Sequence, residues 1–336
     1  MKSLKPFAAT RTTRRQLLRG AATAACAICL LPAAQAQVDK WPTRSVTIVS
    51  PYNPGGTNDV VARLVADRLQ KALGQPFVVE NKPGAAGIVG SGGVMRAAPD
   101  GYTLLSGNNG SMVVQSVVKK PSPYDPATAF TPVAKVADAP NYIAISSTVP
   151  ADTVGEFIAY TRRNPGKLNY SSAGSGSFGN FMGEYFKQQT GTYIVHIPGR
   201  GSASALNEMV AGRIELMIDP LVLNQRNGGR IKVLATTHAS RVDAYPDIPT
   251  IKESGGPELD ITGWFGLFGP ANLPREVVDK INGVLQGMAS DPEARKMLAT
   301  AGLVPAHLPG AAFSNLIKED VKRYDAIQQR ARIVVE

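Results

Sequence analysis

A β-branched run from Val46 to Ser50 stops at Pro51-Tyr52-Asn53-Pro54-Gly55-Gly56, and an amphipathic stretch begins directly behind it at Asn58. A looser copy of the same arrangement runs from Leu168 to Phe186, with its turn at Ser172–Ser177. A strand that turns at once into a helix is the opening of a βα unit, so this pattern restricts the chain to α/β architecture. It also has a chemical consequence. Backbone N–H groups at the start of a helix lack partners within it and sit at the positive end of the helix dipole, so they form an anion site that needs no Lys or Arg. Two such turns facing each other are suited to hold a dicarboxylate. The chain therefore reads as a carboxylate binder.

Strands and helices alternate over the rest of the sequence, which predicts largely parallel sheets flanked by helices. The first half gives strands at Val46–Ser50, Phe77–Asn81 and Thr103–Ser106, with helices over Asn58–Leu73 and from about Gly87 to Ala97. In the first of these helices Val61, Leu64, Val65, Leu69 and Ala72 make the apolar stripe. Thr57 or Asn58 is placed to cap its start and Gly74 to close its end. A Pro-rich connection, Pro121 to Pro132, follows. The pattern then restarts with strands at Tyr142–Ser146, Leu168–Ser171, Tyr193–Ile197, Glu215–Ile218 and Lys232–Thr236, and helices at Thr153–Asn164, Ser177–Thr190 and Ser202–Ala211. After Trp264-Phe265-Gly266-Leu267-Phe268 the chain is expected to be mostly helical from Arg275 to Arg332, packed back on the first domain. Two crossings, near Ala137–Tyr142 and Leu259–Trp264, then form a hinge between a lobe of residues 37–139 plus 263–336 and a lobe of residues 140–262.

Residues 1–36 form an export signal in this scheme. Thr13-Arg14-Arg15-Gln16-Leu17-Leu18-Arg19 matches a twin-arginine motif, Ala21 to Leu31 is a short apolar stretch, and Ala34-Gln35-Ala36 offers a cleavage site. A periplasmic mature protein starting near Gln37 is the expectation. The segment holds six basic residues and no acidic one, so the formal charge falls from +10 to 10 − 6 = +4 on cleavage. Without runs of Lys and Arg between aromatics, the remainder is not expected to bind nucleic acid. Cys26 and Cys29 also lie in the segment, so the mature chain has no thiol for catalysis, disulfides or zinc. No cofactor is expected, and His196, His238 and His307 are too scattered for a metal site.

Pro51-Tyr52-Asn53-Pro54-Gly55-Gly56 with Asp59-Val60-Val61-Ala62-Arg63, Val79-Glu80-Asn81-Lys82-Pro83-Gly84, Ala98-Pro99-Asp100-Gly101-Tyr102, Phe130-Thr131-Pro132-Val133, Pro165-Gly166-Lys167-Leu168 and Trp264-Phe265-Gly266-Leu267 occur in this order. Together they resemble the Bug-type periplasmic solute-binding proteins of tripartite tricarboxylate transporters, and the likeness covers essentially all of the mature chain. The resemblance implies a two-lobed Venus-flytrap fold of type II kind, each lobe a mainly parallel sheet flanked by helices. It further implies a monomer that delivers a small carboxylate to membrane permease subunits. Its ligand contacts fall on Tyr52, Asn53, Gly55, Gly56 and Thr57, on Ser106 and Asn108, and in the other lobe on Ser172, Ala173, Gly174, Ser177, Gly201, Ser202, Ala203 and Asp219. Asn58 stands where Thr or Ser is usual, Asn180 where His is common, and Gly199 where Tyr mostly precedes the basic residue, here Arg200; the missing ring suggests a wider pocket.

Two other classes compete. Ser177, Asp219 and His238 occur in the chain order of a hydrolase triad, but Ser175-Gly176-Ser177-Phe178-Gly179 has Ser where the nucleophile elbow needs its first Gly. A ligand-sensing protein that docks on a signalling receptor has the same sequence requirements as a transport receptor. Asp219, before Pro220, is also a natural turn initiator.

Overall fold

The computed structural model describes residues 41–259 and 261–331. The export signal with its cleavage point and both cysteines lies outside the described residues, as does Asp260 within the second expected crossing. From Pro42 the chain builds one body that carries two sheets.

In chain order the first part is β1 (Val46–Ser50), α1 (Thr57–Leu73), β2 (Phe77–Asn81), α2 (Ile88–Met95) and β3 (Thr103–Asn108). A π-helical turn over Gly110–Val114 runs on into the short α3 (Gln115–Val118), and β4 (Phe130–Ala139) ends this part. The second part is β5 (Tyr142–Ser146), α4 (Val154–Arg163), β6 (Asn169–Ser172), α5 (Phe178–Thr190), β7 (Val195–Pro198), α6 (Ser202–Val210), β8 (Leu216–Ile218), a 3₁₀ turn Pro220–Gln225 and β9 (Ile231–Thr236). The chain returns through β10 (Gly263–Pro270), α7 (Arg275–Met288), α8 (Pro292–Thr300), β11 (Val304–Pro309) and α9 (Gly310–Ala331).

The first sheet has the order β11-β4-β10-β3-β1-β2 and the second β7-β6-β8-β5-β9. Both place their strands in one sequence: second, first, third, an inserted strand, fourth. This shared order is the structural form of the two similar turns seen in the sequence. Each sheet keeps four strands in one direction, as the expected mainly parallel α/β sheets require, and is mixed because β10 and β11 in the first and β5 in the second run against them. β1 runs parallel to β2 and β3, and β6 to β7 and β8, but β10 is antiparallel to β3 and β4, and β5 to β8 and β9. β5 and β10 are the first strands after the chain changes sheets, and each enters its new sheet from the end opposite to the βα units. The tail is mostly helical as expected, and β11 interrupts it as an edge strand on β4. An edge is where Pro305 and Pro309 are tolerated, since a missing N–H there breaks no ladder bond.

β10 is buried along its whole length, and Trp264, Phe268 and Phe313 pack there with ring centroids 4.8–6.0 Å apart. A Cβ on Gly266 would fall 2.4 Å from the Phe313 ring, so glycine in Trp-Phe-Gly-Leu is required by this packing. α1 buries Val61, Leu64, Val65 and Leu69 against the first sheet, each worth about 1.5–3 kcal/mol. It ends as expected at Gly74, with φ +73° in the left-handed region. No helix among the described residues is long and apolar enough to cross a membrane.

Candidate functional site

The carboxyl ends of β1, β3, β6, β7 and β8 open on one cleft of about 370 Å³, with the start of β10 closing its floor. This is where open α/β sheets collect ligands, because helix N-termini follow the strand ends.

On the β1 side the helix start is left open. Gly56 is the N-cap residue of α1 and offers no side chain to the first-turn N–H groups. Neither Thr57 nor Asn58 acts as the cap. Asn58 turns inward, where its amide oxygen accepts from Ser50 Oγ at 2.8 Å and its amide donates to the Ser106 carbonyl at 3.0 Å. Thr57 Oγ1 is buried, belongs to a cleft-lining residue and has no partner. Beneath it Asp59 pins the loop, accepting from Gly55 N at 3.0 Å, Arg63 Nε at 2.9 Å and Asn81 Nδ2 at 2.9 Å. Burial alone would raise the Asp59 pKa, but these donors and the Arg63 charge together hold it below the ordinary carboxylate value. Tyr52 forms a wall. Its hydroxyl is committed to Asn108 Oδ1 at 3.1 Å and Ala86 O at 3.3 Å, and burial pushes its pKa up.

The other lobe presents two helix starts that differ. α5 is capped by its own side chains: Ser177 Oγ accepts from Asn180 N and Asn180 Oδ1 accepts from Gly176 N at 2.8 Å. Its first turn is therefore less available to a ligand than expected. α6 begins at Gly201, which has φ +114° and gives no side-chain cap, so this is the second open helix start. Ser202 in its first turn donates to Asp219 Oδ2 at 2.6 Å, and Asp219 Oδ1 accepts from Leu221 N at 2.8 Å. Burial pushes the Asp219 carboxyl above its ordinary pKa, against the lowering effect of those two bonds.

Among the expected contact residues, Tyr52, Asn53, Gly56, Thr57, Asn108, Ala173, Ser177, Gly201, Ser202, Ala203 and Asp219 line the cleft, whereas Gly55, Ser106, Ser172 and Gly174 do not. Ser106 is a buried strand residue whose carbonyl serves Asn58. Ser172 Oγ is taken up by His196 Nε2 at 2.8 Å and by the Gly174 backbone, and so braces the loop. His196 in turn stacks on Tyr170, and burial lowers its pKa to about 4, which keeps the ring neutral at physiological pH. Gly199 does not line the cleft either. A Cβ there would meet the Ser172 carbonyl at 2.6 Å, so this glycine reflects backbone packing and does not widen the pocket. The hydrolase constellation is not assembled: Ser177 serves Asn180, Asp219 serves Ser202, and His238 Nδ1 lies against Ser240. Among the described residues no group of three or more His, Cys, Asp or Glu is gathered as for a metal.

A polar cluster under the floor has no sign in the sequence. Asp320 Oδ2 on α9 accepts from Trp264 Nε1 at 2.7 Å and from Asn109 Nδ2 at 3.2 Å, and Asn109 Oδ1 accepts from the Trp264 backbone N–H. Asn109 and Trp264 line the cleft, so a helix near the chain end fixes two of its surfaces. Asp320 lies 211 residues from Asn109, and nothing local marks it.

The lobes touch across the cleft. Asn53 Nδ2 donates to the Arg200 carbonyl, and Gln115 Nε2 donates to the Gly176 carbonyl at 2.7 Å. Phe178 and Phe181 of α5 stack on Tyr324 of α9, at 6.1 and 5.2 Å between ring centroids.

Comparison with known proteins agrees with this architecture. The profile of the tripartite tricarboxylate transporter family receptor, TctC, matches residues 61–333. A protein of Rhodopseudomonas palustris solved with adipate, Rpa4515, is 33% identical with a TM-score of 0.84, covering 88% of this chain and 99% of its own. The periplasmic binding protein BugD is 31% identical with a TM-score of 0.83, over 88% of this chain and 100% of its own. MatC of R. palustris, solved with bound malate, is 29% identical with a TM-score of 0.80, over 85% of this chain and 99% of its own. Sheet order, cleft and profile lead to one assignment: the chain belongs to the TctC receptor family of periplasmic binding proteins, built on the two-lobed α/β fold of that class.

Proposed function

We propose that this protein captures a small carboxylate in the cleft between residues 42–139 plus 263–331 and residues 140–262, and hands it to the permease of a tripartite tricarboxylate-type transporter. The observation that carries this reading is the open start of α1, where a buried Thr57 hydroxyl without a partner sits beside first-turn N–H groups that no side chain caps. A carboxylate satisfies both at once. Adipate and malate on two relatives support the ligand class, and the scarcity of cationic side chains around the cleft supports recognition by amides. Export through residues 1–36, with cleavage after Ala36, would bring the mature protein to the compartment where such receptors work.

A thermal-shift screen of carboxylates tests the proposal. A ligand present at about 100 times its dissociation constant stabilises the fold by about 2.7 kcal/mol. Stabilisation by adipate, malate or a related acid is the expected result, whereas hits confined to sugars or cationic amines would remove the carboxylate assignment.

A further inference from the structure

The loop of residues 172–177 is held from behind by a chain of side chains in which each donor and acceptor role is determined. It starts at Glu184 on α5, which is paired with Lys187 Nζ at 2.8 and 2.9 Å and accepts from the Tyr170 hydroxyl at 2.6 Å. With its proton given to Glu184, the Tyr170 oxygen accepts from Asn180 Nδ2 at 2.8 Å. Asn180 Oδ1 is thereby turned to the Gly176 N–H, 2.8 Å away, and Nδ2 also faces His196 Nδ1 at 3.3 Å. Nδ1 of the ring is therefore an acceptor and the ring proton sits on Nε2. Ser172 Oγ accepts that proton at 2.8 Å and donates its own to the Gly174 carbonyl at 3.0 Å.

The chain ends at a contact between the lobes. Gly176, whose N–H is held by Asn180, accepts at its carbonyl from Gln115 Nε2 of the other lobe at 2.7 Å. Gln115 is fully buried and its Oε1 has no partner, so Gly176 is what holds this side chain. A proton added at His196 Nδ1 sets a donor against the Asn180 Nδ2 donor. Turning the Asn180 amide removes that conflict and breaks the bond to the Gly176 N–H. The charged and titratable groups facing the ring are Tyr170 of β6 and Glu184 and Lys187 of α5. Burial opposes charge on the ring, Glu184 favours it and Lys187 opposes it, and together they hold the His196 pKa at about 4.

We infer that His196 is a positioning residue for ligand capture: as the neutral Nε2–H tautomer it keeps Gly176 where Gln115 clasps it, and protonation at Nδ1 frees Gly176, loosens closure and weakens ligand binding. This rests on the capture of a carboxylate between the lobes and adds control by a proton to it.

NMR of the imidazole nitrogens and backbone amides, followed from neutral pH into acid with and without saturating adipate or malate, tests this. His196→Gln identifies the ring signals against those of His238 and His307. At neutral pH the ring is expected as the Nε2–H tautomer. In acid the Gly176 N–H signal should titrate together with the ring, and that transition should vanish in His196→Gln. Because linkage is reciprocal, bound ligand should lower the ring midpoint by about half a pH unit or more, equivalent to about threefold weaker binding to the charged ring. An Nδ1–H ring at neutral pH, a Gly176 signal that ignores the ring, or a midpoint unmoved by an acid whose binding calorimetry has verified overturns the inference and leaves the carboxylate assignment standing. Failure of every acid in the thermal-shift screen to bind overturns both. If acid unfolds the protein before the ring titrates, affinity at neutral pH decides. His196→Gln, whose amide can both donate to Ser172 and accept from Asn180, should then bind within about threefold of the wild type, and His196→Leu, which can do neither, about tenfold or more weaker. Equal affinity of the two variants overturns the inference.

Discussion

Thr57 carries most of the recognition argument at the scale of single residues, because its buried hydroxyl gains nothing in the empty protein. Thr57→Val keeps the side-chain shape and removes only that group. Calorimetry should show carboxylate binding weakened by about 1–2 kcal/mol, while melting of the empty variant should be unchanged or slightly higher. A variant that melts earlier and binds normally would assign Thr57 to packing. Asp59 has the opposite character, contributing to stability and not touching ligand. Its folded pKa lies below the unfolded value, so its contribution is fully present above about pH 3.9 and is lost as pH falls through the lower, folded value. Asp59→Asn should cost roughly 2 kcal/mol at neutral pH, and in urea titrations at a series of pH values its deficit should shrink toward the acid limit. A deficit that stays constant with pH would mean that the Asp59 charge is not the stabilising element. Sequence alone pointed to Thr57 because it closes a glycine turn at a helix start, and to Asp219 because it follows a strand directly. It pointed equally to Ser172, whose hydroxyl bonds His196, since a serine at a turn looks the same whether it faces a ligand or a neighbouring ring. Asp320, a polar residue on an amphipathic helix, had no local sign at all, and Trp264 stood out only as part of the Trp-Phe-Gly-Leu motif, with nothing to place it on the cleft floor.

At the scale of elements, the three main helix starts around the cleft divide into two open ones and one that is closed. α5 is closed by Ser177 and Asn180, whereas α1 and α6 begin at glycines. Ser177→Ala should therefore lower stability by about 1 kcal/mol, the usual cost of an N-cap, with less effect on ligand affinity than Thr57→Val. Chemical denaturation and calorimetry on the same samples check this, and a binding loss larger than the stability loss would return α5 to the ligand site. The βα units were legible because β-branched runs, glycine turns and apolar stripes occur in sequence order. β4 and β11 were not. β4 follows a Pro-rich connection and carries Pro132, Lys135 and Asp138, while β11 carries two prolines and a histidine. Both are strands by virtue of their neighbours: β4 pairs with β10 from the far side of the second lobe, and β11 pairs with β4. The mixed character of both sheets follows from the same long-range pairing, which no local pattern records.

For the whole molecule, the bonds from Asn53 to Arg200 and from Gln115 to Gly176, with the Tyr324 stack on α5, join the two lobes over the cleft. We propose that ligand favours this closed arrangement, with the chain bending where β4 passes to β5. Spin labels at Lys71 on α1 and Gln188 on α5 report the motion; Lys187 is unsuitable because it is bonded to Glu184 at 2.8 Å. Saturating carboxylate is expected to narrow and shift the distance distribution, and an identical distribution with and without bound ligand would mean that the lobes are closed already. The most direct test of carboxylate capture at the cleft is an amide NMR titration of the protein with adipate and malate. The N–H signals of Thr57 and Asn58 should move downfield in proportion to the bound fraction measured by calorimetry, as expected for amides that gain a charged acceptor. Saturation by either compound with both signals unmoved would contradict recognition at the start of α1.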